Sequence, residues 1–139
     1  KVAANLIKPD LAIAVDVGVA YDVPGMTSEK NEGKLGDGPL AILMDATSIA
    51  HDGLRKHIKD VAEHHNIPVQ WATTPGGGTD AGSIHVANEG IPTITIGVPL
   101  RYMHSNVSVL NIDDYTNSVR LITEIVHSLN DDRYQALMW

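Results

Sequence analysis

The sequence predicts an α/β fold, with a mixed, mainly parallel sheet flanked by helices. Short apolar runs rich in β-branched residues alternate with longer segments whose apolar residues recur at helical spacing. Turn signals that contain Gly or Pro separate many of these segments. The chain has 139 residues, of which 43% are hydrophobic and 19% charged, and these values are typical of one globular domain with its own core.

Four short apolar runs predict the strands. The first runs from Leu11 to Val17 and is apolar except for Asp16, which is typical of a buried parallel strand. The fourth contains Pro92 near its start, where proline is tolerated. These later strands are expected at residues 39–44, 69–73 and 91–98.

Three segments between and after the strands predict helices. The first begins at about Asp52, a candidate N-cap, and the second runs from Thr79 to Glu89. The third runs from about Ile112 to Leu129, and the tail 130–139 is expected to be mobile or to dock on a partner. The apolar face of the third helix is expected to contain Val119, Ile122, Val126 and Leu129.

Charge and cysteine content exclude several classes of function. A net charge of −7 argues against nucleic-acid binding, which needs a basic surface. The absence of Cys excludes thiolate metal sites, so any metal is expected to be held by His, Asp or Glu. No apolar run approaches the roughly 20 residues of a membrane span, and no signal peptide opens the sequence. We therefore expect a cytoplasmic protein without a nucleic-acid or membrane partner.

Two residues are candidate metal ligands. Asp16 ends the first apolar run, and His104 follows the fourth predicted strand. Open α/β sheets bind ligands beyond the carboxyl ends of their strands, so Asp16, His104 and the segment 76–80 after the third strand are all expected on one edge of the sheet. An Asp at a strand end is also commonly a turn residue, and a lone His is commonly a surface residue, so both interpretations stay open. A catalytic metal needs about three protein ligands, more than these two residues supply.

The loop after the third predicted strand is a candidate substrate site. It reads Pro75-Gly-Gly-Gly-Thr-Asp80. Its glycines either let the backbone approach a ligand closely or make a tight turn, and Thr79 or Asp80 could be the N-cap of the next helix. No Lys follows the glycines, which argues against a phosphate-binding loop. Structural roles are expected for His51, His57, His64, His65 and His127.

Three segments resemble the C-terminal catalytic half of the M42 family of metallo-aminopeptidases. They are residues 14–25, 75–82 and 99–106, which occur in the order typical of that family. The resemblance extends from about Leu11 to Leu129. The family includes glutamyl aminopeptidases and tetrahedral archaeal aminopeptidases. It implies the fold predicted above and an enzyme that releases N-terminal residues from peptides.

The resemblance also implies a site with two divalent metal ions, usually zinc or cobalt. Asp16 matches the carboxylate that ligates one metal, and His104 matches the imidazole that ligates the other. The remaining ligands and the general base, a Glu, are implied to precede Lys1, as is an inserted β-rich assembly domain. We therefore expect this chain to be the C-terminal part of a catalytic domain, inactive alone and without a catalytic base of its own.

The peptide substrate is expected to contact Gly77, Gly78, Thr79 and Arg101. Arg101 either faces the substrate pocket, where it would favour acidic side chains, or forms a surface ion pair. The resemblance implies a homo-oligomer, such as a dodecamer, for the full-length protein. The alternative is a binding or assembly module that keeps the fold without catalysis. Carbohydrate hydrolysis is a weaker alternative, because it needs two placed carboxylates and no such pair stands out.

Overall fold

A four-stranded mixed sheet with helices on both faces confirms the predicted fold class. The computed structural model describes residues 1–26 and 33–138. No helix in these ranges is long and apolar enough to span a bilayer. The elements are α1 (Val2–Ile7), β1 (Ala12–Val19), β2 (Leu40–Asp45), α2 (Asp52–His65), β3 (Gln70–Thr74), α3 (Asp80–Ile84), β4 (Thr93–Leu100), α4 (Ile112–Ser128) and α5 (Asp131–Met138).

The strand order is β1-β4-β2-β3. β1 pairs with β4 and β2 pairs with β3 in parallel, whereas β2 and β4 are antiparallel. The carboxyl ends of β1 and β4 therefore point to the opposite edge of the sheet from those of β2 and β3. Asp16, the glycine loop and His104 were expected on one edge of the sheet because each was placed at the carboxyl end of a strand. This reasoning is wrong, since those ends lie on opposite edges.

β1 is not the buried strand that its apolar sequence predicted. It lies at the edge of the described sheet, and Val15 is 62% exposed. The strand continues to Val19, so Asp16 lies within it rather than at its end. The prediction was wrong because apolar content alone does not distinguish an edge strand from a central one.

One face of the sheet is covered by α2 and α4. Side chains alternate between the two faces of a strand, and Ile94 and Ile96 of β4 point to this helical layer. On the opposite face, Thr93 and Thr95 alternate with them, and α1 and α3 cover one end. The buried core on the α2 and α4 face consists of Ala41, Leu54, Ile58, Val61, Ala62, Ile67, Ile94, Ile96, Leu121 and Ile125.

The helix boundaries differ from the predictions at two places. His51 is the N-cap of α2, so Asp52 is the first helical residue and not the cap. There Asp52 pairs with Arg55 and Lys56, both within 2.7 Å. α3 ends at Ile84, earlier than expected, because the chain turns before Gly90.

The buried face of α4 was predicted only in part: Ile122 and Leu129 pack against the core as expected. Val119 and Val126 are 50% and 55% exposed, whereas Leu121 and Ile125 are fully buried. Asp114 is also buried, because it accepts hydrogen bonds from the backbone N–H groups of Gly36 and Gly38 at 2.7 and 2.8 Å. Contact with α2 and the loop before β2 therefore decides the orientation of this helix.

The two ends of the chain are helical. α1 was not predicted, and Ala4 within it is buried against Ala87 and Ile91. The tail was expected to be mobile or to dock on a partner, but residues 131–138 form α5, which packs on α2. Leu137 contacts the core, and its carbonyl lies so close to Gly53 that a Cβ there would come within 2.0 Å.

Candidate functional site

A cavity of about 200 Å³ lies beside the sheet and is lined by the candidate residues from three separate segments. It brings together both candidate metal ligands, Asp16 and His104, with Gly77, Gly78 and Thr79 from the glycine loop. These residues converge although the strands do not share a carboxyl edge. The other lining residues are Val17, Gly18, Val19, Ile42, Asp45, Thr74 and Met103.

Asp16 presents an accessible carboxylate to this cavity. Its side chain is exposed on β1, and one oxygen, Oδ1, accepts a hydrogen bond of 2.7 Å from the backbone N–H of Val17. The other oxygen, Oδ2, accepts none from the described residues. The paired position on β4 is Gly97, which has no side chain to cover the carboxylate. Asp16 is therefore available to a cation or an ammonium group.

His104 is held by a closed loop after β4. The backbone groups of Arg101 and Val109 exchange hydrogen bonds of 2.9 and 3.2 Å across the base of this loop. His104 itself has a φ of 66°, an uncommon conformation for a residue other than Gly. The Ser105 hydroxyl lies 2.6 Å from the carbonyl oxygen of Tyr102, which stabilises the turn. The imidazole is exposed, and no described residue hydrogen-bonds to it.

Asp45 lines the same cavity and was not singled out from the sequence. It is only 6% exposed. Its carboxylate accepts five hydrogen bonds, three from Thr47 and Ser48 and two from Thr79. Burial raises the pKa of Asp45, but the hydrogen bonds from Thr47, Thr79 and Ser48 outweigh it and hold the pKa below its ordinary value. The carboxylate is therefore ionised at neutral pH.

A signal in the sequence could have identified Asp45. It follows the apolar run 39–44 as Asp16 follows the run 11–15. The two carboxylates nevertheless differ in the structure, since Asp16 is exposed and Asp45 is enclosed by donors. Sequence alone does not separate an accessible carboxylate from a structural one.

The metal-ligand types are appropriate, but their number is insufficient. Asp16 and His104 supply one carboxylate and one imidazole, a donor pair that suits borderline divalent ions such as zinc or cobalt. Across residues 1–26 and 33–138, no three His, Asp or Glu residues are grouped so that they could hold a metal. Asp45 does not complete the set, because both of its oxygens are occupied by the five hydrogen bonds.

Arg101 was predicted to contact the substrate, but it is not among the residues that line this cavity. Its guanidinium donates two hydrogen bonds to Asp22, one of them 3.1 Å from Nε to Oδ1. The hydrogen bond from Arg101 is the largest influence on Asp22 and lowers the pKa of that carboxyl. Arg101 therefore forms the ion pair that was one of the two alternatives. Its contact with substrate stays a prediction, and the observed ion pair does not support it.

Relatives of this chain are named as aminopeptidases. One from Acetivibrio thermocellus is 42% identical over 126 residues, which cover 91% of this chain and 38% of the relative. The glutamyl aminopeptidase of Lactococcus lactis is 37% identical, covering 96% of this chain and 36% of that protein. The lysyl aminopeptidase of Pyrococcus furiosus is 33% identical over 85% of this chain and 35% of its own length. The chain thus spans little more than a third of these relatives.

Solved structures of peptidases are also similar to nearly the whole of this chain. The TET aminopeptidase of a marine sediment archaeon, Thaumarchaeota archaeon SCGC AB-539-E09, superposes with a TM-score of 0.93 at 34% identity. That match covers 97% of this chain and 38% of the archaeal chain. The TET1 peptidase of Pyrococcus horikoshii, which can assemble into a tetrahedron or a large octahedral shell, gives 0.73 at 28% identity. That match covers 92% of this chain and 36% of the peptidase.

The family model for M42 glutamyl aminopeptidases matches residues 1–121. This match begins before Leu11 and ends before Leu129, so its bounds differ from the expected extent, whereas the Lactococcus relative matches over 96% of the chain. α5 and the last residues of α4 lie outside the family match. It also covers most of the chain, including every candidate site residue discussed above. The chain therefore belongs to the M42 glutamyl aminopeptidase family.

Proposed function

We propose that this chain is part of a metallo-aminopeptidase that removes N-terminal residues from peptides. The observation that carries the proposal is the cavity shared by Asp16, His104 and the glycine loop. These residues come from segments far apart in the sequence, and two of them are side chains suited to metal. The accessible Asp16 carboxylate and the His104 imidazole favour a cation there, and Asp16 could also accept the free amine of a peptide.

Asp16 and His104 would each hold one of two divalent ions, zinc or cobalt. When bound, such ions polarise the scissile carbonyl and lower the pKa of a water molecule. The role of the chain's own residues is orientation. The Asp16 carboxylate and the His104 imidazole face the cavity from two separate segments, and the backbone of Gly77 and Gly78 forms another wall against which an extended peptide would lie.

The remaining ligands and the general base are proposed to lie outside these 139 residues. Two arguments support this. The described residues bring together only two of about three required ligands, and the chain covers 38% of the Acetivibrio relative. On this proposal the chain alone is inactive. Its placement in the C-terminal part of the longer enzyme stays a prediction.

Substrate preference is proposed only at the level of peptides with a free N-terminus. Glutamyl and lysyl aminopeptidases both match this chain, so its similarity favours neither acidic nor basic side chains. Because Arg101 pairs with Asp22, an acidic preference would need another cation. For the full-length protein we propose a homo-oligomer, such as a dodecamer, because the related TET1 peptidase of Pyrococcus horikoshii can assemble into a tetrahedron or a large octahedral shell. The cytoplasmic location expected from the sequence stays a prediction.

The test uses the full-length enzyme and aminoacyl anilides of Glu, Leu and Lys. We expect hydrolysis that stops when metal is removed by a chelator and returns when zinc or cobalt is added. The 139-residue chain, assayed in parallel, should be inactive under every condition. Turnover that survives complete metal removal would contradict the metal-dependent mechanism. Absence of hydrolysis with any metal would favour the alternative of a non-catalytic module.

A further inference from the structure

Asp45 connects the two loops that lie on one side of the cavity. Its Oδ1 accepts hydrogen bonds from the backbone N–H groups of Thr47 and Ser48 and from the Thr47 hydroxyl, at 2.7 to 2.8 Å. Its Oδ2 accepts hydrogen bonds from the backbone N–H and the hydroxyl of Thr79, at 3.2 and 2.9 Å. One oxygen therefore holds the turn after β2, and the other holds the glycine loop after β3.

Thr47 packs directly against the glycine loop and the start of α3, so it sets the distance between these segments and the turn after β2. A Cβ built on Gly78 would lie 2.8 Å from Thr47 Cγ2, and one on Gly82 would lie 2.1 Å from Thr47 Oγ1. These glycines are therefore needed for close approach, since no side chain fits between the two segments. The N–H of Ala46 also donates to the carbonyl of Gly77 at 2.8 Å. As long as Thr47 donates its hydrogen bonds to Asp45, the backbone of the glycine loop has little room to change conformation.

Thr79 carries this arrangement to the central strand β4. Its hydroxyl lies 2.9 Å from the hydroxyl of Thr95 and donates its single proton to Asp45. Thr95 must then be the donor to Thr79. β4 pairs with β1, which carries Asp16, and leads into the loop that carries His104. The hydrogen bond from Thr95 to Thr79 therefore connects the glycine loop to the strand that also positions both candidate ligands.

We infer that Asp45 is a positioning residue that fixes the Gly77–Thr79 backbone as the peptide-binding wall of the cavity. This inference rests on the proposed function. Among the described residues, the N–H of Gly78 donates to no acceptor, so it is available to a substrate carbonyl. All five groups that contact Asp45 are donors, and a carboxylate accepts them all. An amide of the same size would place an N–H group against donors.

The experiment compares Asp45→Asn and Thr79→Val with the parent full-length enzyme. Both variants keep side-chain volume, and each removes part of the hydrogen bonding between Asp45 and the loop. We expect KM for aminoacyl anilides to rise about tenfold while kcat changes by less than about threefold, because the lost contacts orient the substrate rather than the reacting groups. Amide hydrogen exchange of the segment 75–80 should become faster in both variants.

Asp52→Asn is the matched control, because it makes the same chemical change on an exposed carboxylate outside the cavity. It should change neither KM nor exchange of the segment 75–80. Faster exchange of the segment 75–80 with an unchanged KM would show that Asp45 has only a structural role, and this would overturn the inference. Unchanged exchange in both variants would overturn it as well. If Asp45→Asn does not fold, Thr79→Val decides by the same criteria. A parent enzyme with no peptidase activity would refute the proposed function and, with it, the substrate role of Asp45.

Discussion

The two faces of the sheet are made of different residues. The layer between one face and the helices α2 and α4 is filled by buried apolar side chains, which include Leu54, Ile58 and Ile125 of these helices. The opposite face carries threonines, glycines and aspartates, and the cavity lies there beyond the small apolar cluster of Leu40, Ile42 and Ala72. Apolar burial is non-directional and proportional to area, whereas the loops at the cavity are held by hydrogen bonds of defined geometry.

This contrast separates stability from function. A substitution on the helix-covered face removes buried area without altering the cavity. A substitution of an exposed cavity residue removes a contact to ligand without removing much of the core. Substitutions on the two faces should therefore have separable effects on stability and on catalysis.

The largest effect is expected in the core. Ile125→Ala should lower the free energy of unfolding by about 2–5 kcal/mol, because it removes fully buried methyl and methylene groups. Its neighbour Val126→Ala is the control, since Val126 is 55% exposed and should cost less than about 0.5 kcal/mol. Urea-induced unfolding of the full-length enzyme measures both. Equal losses would mean that the buried face of α4 is not the one described.

The second effect concerns the exposed ligands. His104→Ala and Asp16→Asn should each lower kcat/KM by about 100-fold or more, since the loss of a supporting outer-shell partner alone costs about 10–100-fold. Unfolding should be nearly unchanged, because both side chains are exposed. Kinetics and bound-metal content of the full-length variants check this. Near-normal turnover by either variant would contradict its role as a ligand.

The two faces should respond to acid in different pH ranges. Burial, and then the charge of Arg133, lower the pKa of His57 below its ordinary value of 6.5. The unfolded state therefore binds the proton more readily, and the stability from neutral His57 is complete above 6.5 and is lost as the pH falls towards the folded pKa. The pKa of Asp45 is below 3.8, so its contribution is complete above 3.8 and is lost only as the pH falls through its folded pKa.

Unfolding free energies measured between neutral and strongly acidic pH test this order. His57→Gln should flatten the change just below pH 6.5, and Asp45→Asn should flatten only the change below 3.8. His64→Gln is the control for the first variant, because His64 is exposed on the same helix. An unaltered profile in His57→Gln would show that another group is responsible for the first loss.

A weak binding effect is expected for the isolated chain. With two candidate ligands rather than about three, the 139 residues should bind zinc weakly or not at all. Isothermal titration of this chain, with His104→Ala as the control, measures the affinity. A tight, stoichiometric site in the 139-residue chain would refute the proposal that the other ligands lie outside it.

The smallest effect is expected for Arg101→Leu. Loss of its partly exposed ion pair with Asp22 should cost about 1 kcal/mol of stability or less. The ratio of kcat/KM for Glu, Leu and Lys anilides should stay the same, because the guanidinium is already paired. Asp22→Asn is the matched control for loss of the ion pair. A selective rise in KM for the Glu substrate in Arg101→Leu alone would restore the predicted substrate contact.

The sequence determined the elements and most of the candidate residues. Apolar periodicity is a local property, so the four strands and the helices α2 and α4 were found within a few residues of their bounds. Asp16, His104 and the glycine loop were candidates from their places at or after the apolar runs, and their segments also resemble a known family. The structure places them around one cavity. These features depend on residue type and order along the chain.

Tertiary contacts decided the rest. The antiparallel pairing of β2 with β4, the edge position of β1 and the orientation of α4 depend on which elements meet, and apolar content does not specify this. The difference between Asp16 and Asp45 has the same origin. Both follow an apolar run, but only Asp45 lies where two loops direct donors at it. A carboxylate becomes a ligand or a structural anchor according to the donors that surround it, and these come from distant parts of the chain.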